Sequence, residues 1–250
     1  MLGKMQIVIL AGGMGTRLGE YTKTIPKPMV KVAGKPILIH IIKIYLKYGY
    51  TDFILSLGFK AQIIANYFIK NKKISLKDLK NGVEVKKKIN NKVCSIKLVY
   101  TGKKTMTGGR IKLLDKHLRN ETFMCTYGDG VSNVDINKLV RFHKRHGKLA
   151  TVTAVRPMSR FGRLNIKGNR VTQFKEKPQM DKGWINGGFF VFEKKFLNFI
   201  KNSKTILEKD PLEKACLKKS LIAYKHKNFW QCMDTKRDRD ILNKVIKNEL

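Results

Sequence analysis

Residues Gln6–Met29 read QIVILAGGMGTRLGEYTKTIPKPM. The apolar run Gln6-Ile7-Val8-Ile9 reads as a buried strand. It opens at once into Gly12, Gly13 and Gly15, then Arg17, then a lysine held between Pro26 and Pro28. Glycine lets backbone N–H groups close on an anion, and a strand-to-helix turn is where such cradles arise. The loop therefore reads as phosphate-binding. It is not a Walker A loop, because no Gly-Lys-Ser/Thr follows, and Gly12-Gly13-Met14-Gly15 does not fit GxGxxG. Arg17 adds a planar donor fork suited to phosphate oxygens. Lys27, with φ fixed at both neighbours, presents its ammonium at low entropic cost.

Outward from this unit, short apolar runs alternate with helix-like runs, the rhythm of an α/β protein with parallel strands. Pro36 opens an apolar helix that stops at Gly49, FILSLG is a second strand, and a helix follows over 61–69. Lys70–Val93 is polar and reads as an inserted loop or short strands. TFMCTYGDGV (122–131) is a strand running into Gly128-Asp129-Gly130, and Asp135 caps a helix that ends at Gly147. Beyond it the sequence predicts a hairpin turning at Lys167-Gly168-Asn169 and a strand INGGFFVF. A helix from Asp210-Pro211, a strand LIAYKH and an amphipathic helix from Thr235 complete the chain.

The 42% hydrophobic content of this 250-residue chain suffices for a real core. No apolar run approaches the roughly 20 residues of a membrane span, and no signal-peptide pattern precedes the first strand. A cytoplasmic protein without membrane insertion is expected. Cys94, Cys125, Cys216 and Cys232 stand apart without a CxxC pair, which favours reduced structural thiols. The net charge of +35 raises nucleic-acid binding. Its lysines are spread over every exposed segment, and the dense stretch 70–104 lacks aromatic interleaving, so a solvated basic surface and no specific nucleic-acid partner are expected.

Two carboxylates stand out. Asp129, between glycines at a strand end, lies where open α/β sheets bind ligands. Asp234 precedes a helix and taken alone reads more readily as its N-cap. Together they could hold a hard divalent cation, with phosphates of a bound ligand completing the shell. His143 and His146 read as a solvated helix face and His40 as structural. Phe229-Trp230 reads equally as pocket wall or core.

LAGGMGTRL with PKPMVKVAGKPIL resembles the signature of the sugar-1-phosphate nucleotidylyltransferases. MTGGRIK, TYGDGV, RFGRLNI, FKEKP, INGGFFVF and FWQCMDTKRD resemble the branch that joins CTP and α-D-glucose 1-phosphate into CDP-glucose and pyrophosphate, for surface-polysaccharide sugars. The resemblance implies a Rossmann-like mixed, mostly parallel sheet with helices on both faces, Mg²⁺ as cofactor, and a homo-oligomer. It assigns Leu10, Ala11, Gly12, Gly13, Met14, Gly15, Thr16, Lys27, Thr105, Arg110 and Gly128 to the nucleotide. Arg17, Lys27 and Asp129 take catalytic roles, Asp129 and Asp234 the metal, and Glu176, Lys177 and Asn186 the sugar phosphate. One domain, 1–250, is expected, with a nucleotide half over about residues 1–150 and a sugar-phosphate and metal-completing half over about 151–250. Cys232 departs from the resemblance, which implies proline there. The alternatives are the same chemistry on GTP with mannose 1-phosphate or dTTP with glucose 1-phosphate, and a non-catalytic nucleotide- or nucleic-acid-binding protein on the same fold.

Overall fold

The first half of the chain runs β1 (Ile7–Ala11), α1 (Glu20–Thr24), β2 (Lys31–Val32), β3 (Lys35–Pro36), α2 (Ile37–Lys47), β4 (Asp52–Leu57) and α3 (Ala61–Phe68). It continues with α4 (Leu76–Asn81), β5 (Val83–Ile89), β6 (Lys92–Tyr100), α5 (Thr107–Leu113), β7 (Thr122–Tyr127), β8 (Gly130–Ser132) and α6 (Ile136–His146). The second half adds β9 (Ala150–Val155), β10 (Arg163–Lys167), β11 (Arg170–Lys175), β12 (Ile185–Glu193), α7 (Asp210–Leu217), β13 (Leu221–His226), β14 (Trp230–Cys232) and α8 (Lys236–Glu249). The computed structural model describes residues 5–69, 74–157, 163–175 and 183–249.

Eight strands form one sheet in the order β13-β9-β12-β7-β1-β4-β6-β5. β1, β4, β6, β7, β9 and β13 run one way, and β5 and β12 run against them. The mixed, mostly parallel sheet expected from the sequence is therefore present. β1 shows why it is covered on both faces. Successive side chains point to opposite sides of a strand. Ile7, Ile9 and Ala11 enter one core with residues of α2, α3, α6 and α8, and Val8 and Leu10 enter a second with residues of α5 and α7.

Strand order reverses at β1. The chain leaves it toward β4 and β6 on one side and returns to β7 on the other. At such a switch point the loops leaving the carboxyl ends diverge and open a crevice. Here those loops begin at Gly12 and at Gly128-Asp129.

Several punctuation marks act as read. Gly49 ends the α2 segment at φ 83°, and Asp135 caps α6 by accepting the Lys138 N–H at 2.8 Å. The β10–β11 hairpin turns at Gly168 with φ 58°. The segment read as an inserted loop or short strands is more regular where described. α4 carries a reciprocal Ser75–Asp78 cap, and β5 pairs along its length with β6 through an Asn90-Asn91 turn with φ of 52° and 60°. β5 is an edge strand whose exposed Lys86 and Lys88 guard against edge-to-edge pairing, and Lys87, on the half-buried side with Val85 and Ile89, breaks the apolar alternation that would have marked it.

His143 does not lie on a solvated face. It is 1% exposed, with Nδ1 2.8 Å from Thr151 Oγ1 and Nε2 2.9 Å from Glu193 Oε1. His40 is structural as expected, its Nε2 2.8 Å from the Val32 carbonyl. Cys94 and Cys125 are buried, and all four cysteines are free thiols. Among the described residues no helix is long and apolar enough to cross a membrane.

Candidate active site

Lys27 is fixed by local backbone before it meets any partner. Pro26 sits at φ −70°, and Lys27–Met29 form one tight turn in which Met29 N–H donates to the Pro26 carbonyl at 2.8 Å. Gly15, at φ 65°, packs on the lysine stem so closely that a Cβ there would lie 2.8 Å from Lys27 Cβ. Gly128 is similarly crowded, its absent Cβ 2.9 Å from the Leu10 carbonyl and 3.0 Å from Pro28 Cγ.

From this seat the Lys27 ammonium donates to Asp129 Oδ2 at 2.5 Å and to Asp234 Oδ1 at 2.6 Å. Burial alone would lower the lysine pKa, but the two carboxylates outweigh it and hold it above the ordinary value. The aspartates meet because β14 pairs antiparallel with β8, Cys232 opposite Gly130, and the Met233 N–H donates to the Asp129 carbonyl at 2.9 Å. A short ladder thus joins two residues far apart in sequence.

Asp234 also accepts from Arg17 Nη1 through Oδ2 at 2.8 Å. Burial works to raise its pKa, but Lys27 and then Arg17 prevail and hold it below the usual carboxylate range. The Cys232 thiol, half-buried beside Asp234 and Asp129, is pushed up to about 12 by desolvation and those carboxylates and remains protonated. The N-cap reading of Asp234 is not what the fold uses. Thr235 Oγ1 accepts the Asp238 N–H at 3.2 Å and so caps α8, leaving the Asp234 carboxylate turned to Lys27.

Two carboxylates converging on one positive charge form an all-oxygen donor set that fits a hard divalent cation. No group of three or more His, Cys, Asp or Glu that could hold an ion occurs among the described residues. A cation here would therefore complete its shell with substrate phosphates and water.

These groups lie in a cleft of about 1430 Å³, lined by Leu10, Gly12, Gly13, Gly15, Thr16, Arg17, Lys27, Thr105, Arg110, Gly128, Asp129, Asn186 and Asp234. Ala11 is fully buried beneath it, and Met14 is exposed. Glu176 and Lys177 lie outside the described residues.

Arg110 spends its guanidinium on the protein. It is 4% exposed, and donates to the carbonyls of Gly12 (2.9 Å), Leu57 (3.1 Å) and Gly102 (2.9 Å) and to Thr101 Oγ1 (2.7 Å). It ties together the chain segments leaving β1, β4 and β6. Burial lowers its pKa to about 10. A Cβ at Gly12 would lie 2.2 Å from Arg110 Nη1, so glycine there makes room for the clamp. Thr105 Oγ1 donates to the Thr101 carbonyl at 2.6 Å.

On the other flank, Asn186 Nδ2 donates to the Tyr127 hydroxyl at 3.1 Å, and that hydroxyl donates to Glu208. Glu208 also accepts from Thr107 Oγ1 at 2.7 Å. Phe229 and Trp230, left open in the sequence, both pack against the core, and Trp230 also lines the cleft with Nε1 donating to the Gly187 carbonyl at 2.7 Å. Sequence reasoning missed Glu208, Tyr127 and Asp238. Glu208 carries no motif, and only the fold of its loop against α5 delivers it to the cleft.

A glycine-rich loop after β1, a carboxylate after β7 and a second carboxylate returned by β14 line one cleft, an arrangement suited to a phosphorylated ligand with a divalent cation. The nucleotidyl transferase family model matches residues 6–236, and the chain belongs to that family. It is 45% identical over 240 residues to the glucose-1-phosphate cytidylyltransferase of Salmonella typhimurium, covering 94% of this chain and 93% of that protein. It is 39% identical over 246 residues to the probable glucose-1-phosphate cytidylyltransferase of Bacillus subtilis, covering 96% of each. Among solved structures, HddC from Yersinia pseudotuberculosis superposes with a TM-score of 0.71 at 26% identity, covering 97% of this chain and 99% of that one.

Proposed function

We propose that this chain transfers the cytidylyl group of CTP to α-D-glucose 1-phosphate, giving CDP-glucose and pyrophosphate. The observation that carries the reading is the near full-length identity to glucose-1-phosphate cytidylyltransferases. In support, Lys27, Asp129 and Asp234 meet at the switch point of the sheet.

The reaction needs alignment and charge neutralisation more than proton transfer. The sugar phosphate dianion supplies the nucleophilic oxygen, which attacks the α-phosphorus of CTP in line with departure of pyrophosphate. The glycine loop from Gly12 to Gly15 offers backbone N–H groups to the triphosphate, and Arg17, 74% exposed at the cleft mouth, neutralises the leaving pyrophosphate. Lys27 stabilises the α-phosphoryl group as charge develops on it. Mg²⁺, held by Asp129 and Asp234, would supply further charge neutralisation at the phosphate oxygens. Arg110 keeps the loop in shape from behind, and Asn186, with Glu176 and Lys177, serves the sugar-phosphate side.

We place the enzyme in the cytoplasm as one domain acting in a homo-oligomer, with its product feeding surface-polysaccharide (lipopolysaccharide O-antigen) sugars. A pyrophosphate-release assay of four nucleotides against several sugar 1-phosphates tests the reading. CTP with glucose 1-phosphate is expected to give the highest kcat/KM. Preference for GTP with mannose 1-phosphate or dTTP with glucose 1-phosphate would replace the pair but keep the chemistry.

A further inference from the structure

Asp238 is an acid with no place in the chemistry above, yet it is only 9% exposed and lines the cleft. A buried carboxylate is costly unless its oxygens are occupied. Here they are. Oδ2 accepts the N–H of Asp234 at 3.0 Å, the N–H of Thr235 at 2.8 Å and the Thr235 hydroxyl at 2.9 Å. Oδ1 accepts Gln231 Nε2 at 3.0 Å. Gln231 stands opposite Val131 in the β8–β14 ladder, so this one carboxylate, itself in the first turn of α8, grips the strand before Asp234 and the Asp234-Thr235 link into the helix.

The consequence concerns a conflict at Asp234. An aspartate just ahead of a helix is drawn to the free N–H groups of the first turn. At Asp234 that draw would turn its carboxylate away from Lys27. Thr235 and Asp238 satisfy the helix start instead, in a reciprocal pair that also fixes the Asp234 backbone N–H. We propose that Asp238 is a positioning residue for the reaction, which releases Asp234 from capping α8 and holds its carboxylate in the cleft. The proposal rests on the reading that Asp234 holds the divalent cation.

The test measures Mn²⁺ binding to the full chain by electron paramagnetic resonance, with CTP present and sugar phosphate absent. It compares wild type, Asp234→Asn, Asp238→Ala, Asp238→Asn and the double variant Asp234→Asn with Asp238→Ala, with thermal unfolding recorded for each. Partners that orient metal ligands are worth about 10- to 100-fold in affinity. Asp238→Ala is expected to weaken Mn²⁺ binding by such a factor although Asp234 is intact. Asp238→Asn, which keeps one acceptor oxygen and the helix start, is expected to fall between it and wild type, and it keeps the test decisive if the alanine variant does not fold. The double variant is expected to bind no worse than Asp234→Asn alone, because Asp238 acts through that residue. If both Asp238 variants bind Mn²⁺ as wild type does while Asp234→Asn does not, the proposal falls and the cation reading stands. Multiplication of the two losses in the double variant would likewise sink it. If Asp234→Asn itself binds normally, the cation reading falls and this proposal with it.

Discussion

The Lys27 ammonium and the Asp234 carboxylate lie 2.6 Å apart, and the same nitrogen lies 2.5 Å from Asp129. A lysine seated on both carboxylates competes with any cation that uses them. Lys27→Met keeps much of the stem and removes the charge. Bare Mn²⁺ should then bind more tightly to the free protein, measured by calorimetry, while kcat falls by about 10²–10³, the usual cost of losing one donor to developing charge. Unchanged Mn²⁺ affinity would show that the ammonium does not compete, and a loss confined to KM would make Lys27 a uniform binder.

Asp129→Asn and Asp234→Asn should each remove most turnover, with the far-ultraviolet circular dichroism of the native fold retained. Each amide keeps the shape but loses an anionic oxygen from a set that has only two carboxylates. A magnesium titration of rate is the measurement. A near-normal rate at saturating magnesium for either variant removes that residue from the metal assignment.

Gly15 offers a test of backbone positioning. At φ 65° a non-glycine residue is strained, and the new methyl would meet Lys27 Cβ at 2.8 Å. Gly15→Ala should therefore cost about 1 kcal/mol or more of stability. It should also lower kcat by displacing the lysine, although no functional side chain is removed. Thermal unfolding and steady-state kinetics read the two effects separately. Full activity would mean that the loop relaxes without moving Lys27.

Much of this site was legible because its parts are local. Glycine at 12, 13 and 15, the prolines around Lys27 and the glycines around Asp129 each dictate backbone within a few residues. What was not legible depends on partners distant in the chain. Arg110 reads in sequence as a nucleotide-contacting arginine, and its further part as a clamp is visible only once the chain segments leaving three strands converge on it. Glu208 joins the cleft only because the loop before α7 folds on α5, with the Met106 N–H donating to the Ser203 carbonyl at 2.9 Å. Asp234 is a plausible N-cap in sequence, and only the contest with Asp238 decides otherwise.

Acid should unfold this protein early. Burial, the leading cause at each, lowers the pKa of all five histidines, His40, His117, His143, His146 and His226, below the ordinary value near 6.5. Between each lowered value and about 6.5 the unfolded chain binds more protons than the native one, so stability rises with pH in that window. The stabilisation is fully present above about pH 6.5 and is lost as pH falls through the folded values. Asp234, also lowered, acts the same way only in the carboxylate range, further down. Urea midpoints across pH 8 to 5 should decline steadily below about 6.5. A flat profile over that range would contradict histidines held neutral by full or partial burial.

Charge is the feature of this chain most apt to mislead, with 53 lysines and arginines against 18 acids. A diffuse basic surface binds DNA or RNA weakly and without sequence preference, and that binding falls steeply with salt as condensed counterions return. The cleft behaves differently. Lys27, 8% exposed, acts at contact distance, where screening over about 8 Å at physiological ionic strength matters little. Raising salt from low to physiological should therefore abolish nucleic-acid retention in a filter-binding titration. It should leave turnover at saturating CTP and glucose 1-phosphate nearly constant, with only the encounter rate of the anionic substrates reduced. Sequence-selective nucleic-acid binding that survives physiological salt, in a protein that turns over no sugar phosphate, would overturn the enzyme reading in favour of a nucleic-acid-binding relative built on the same sheet.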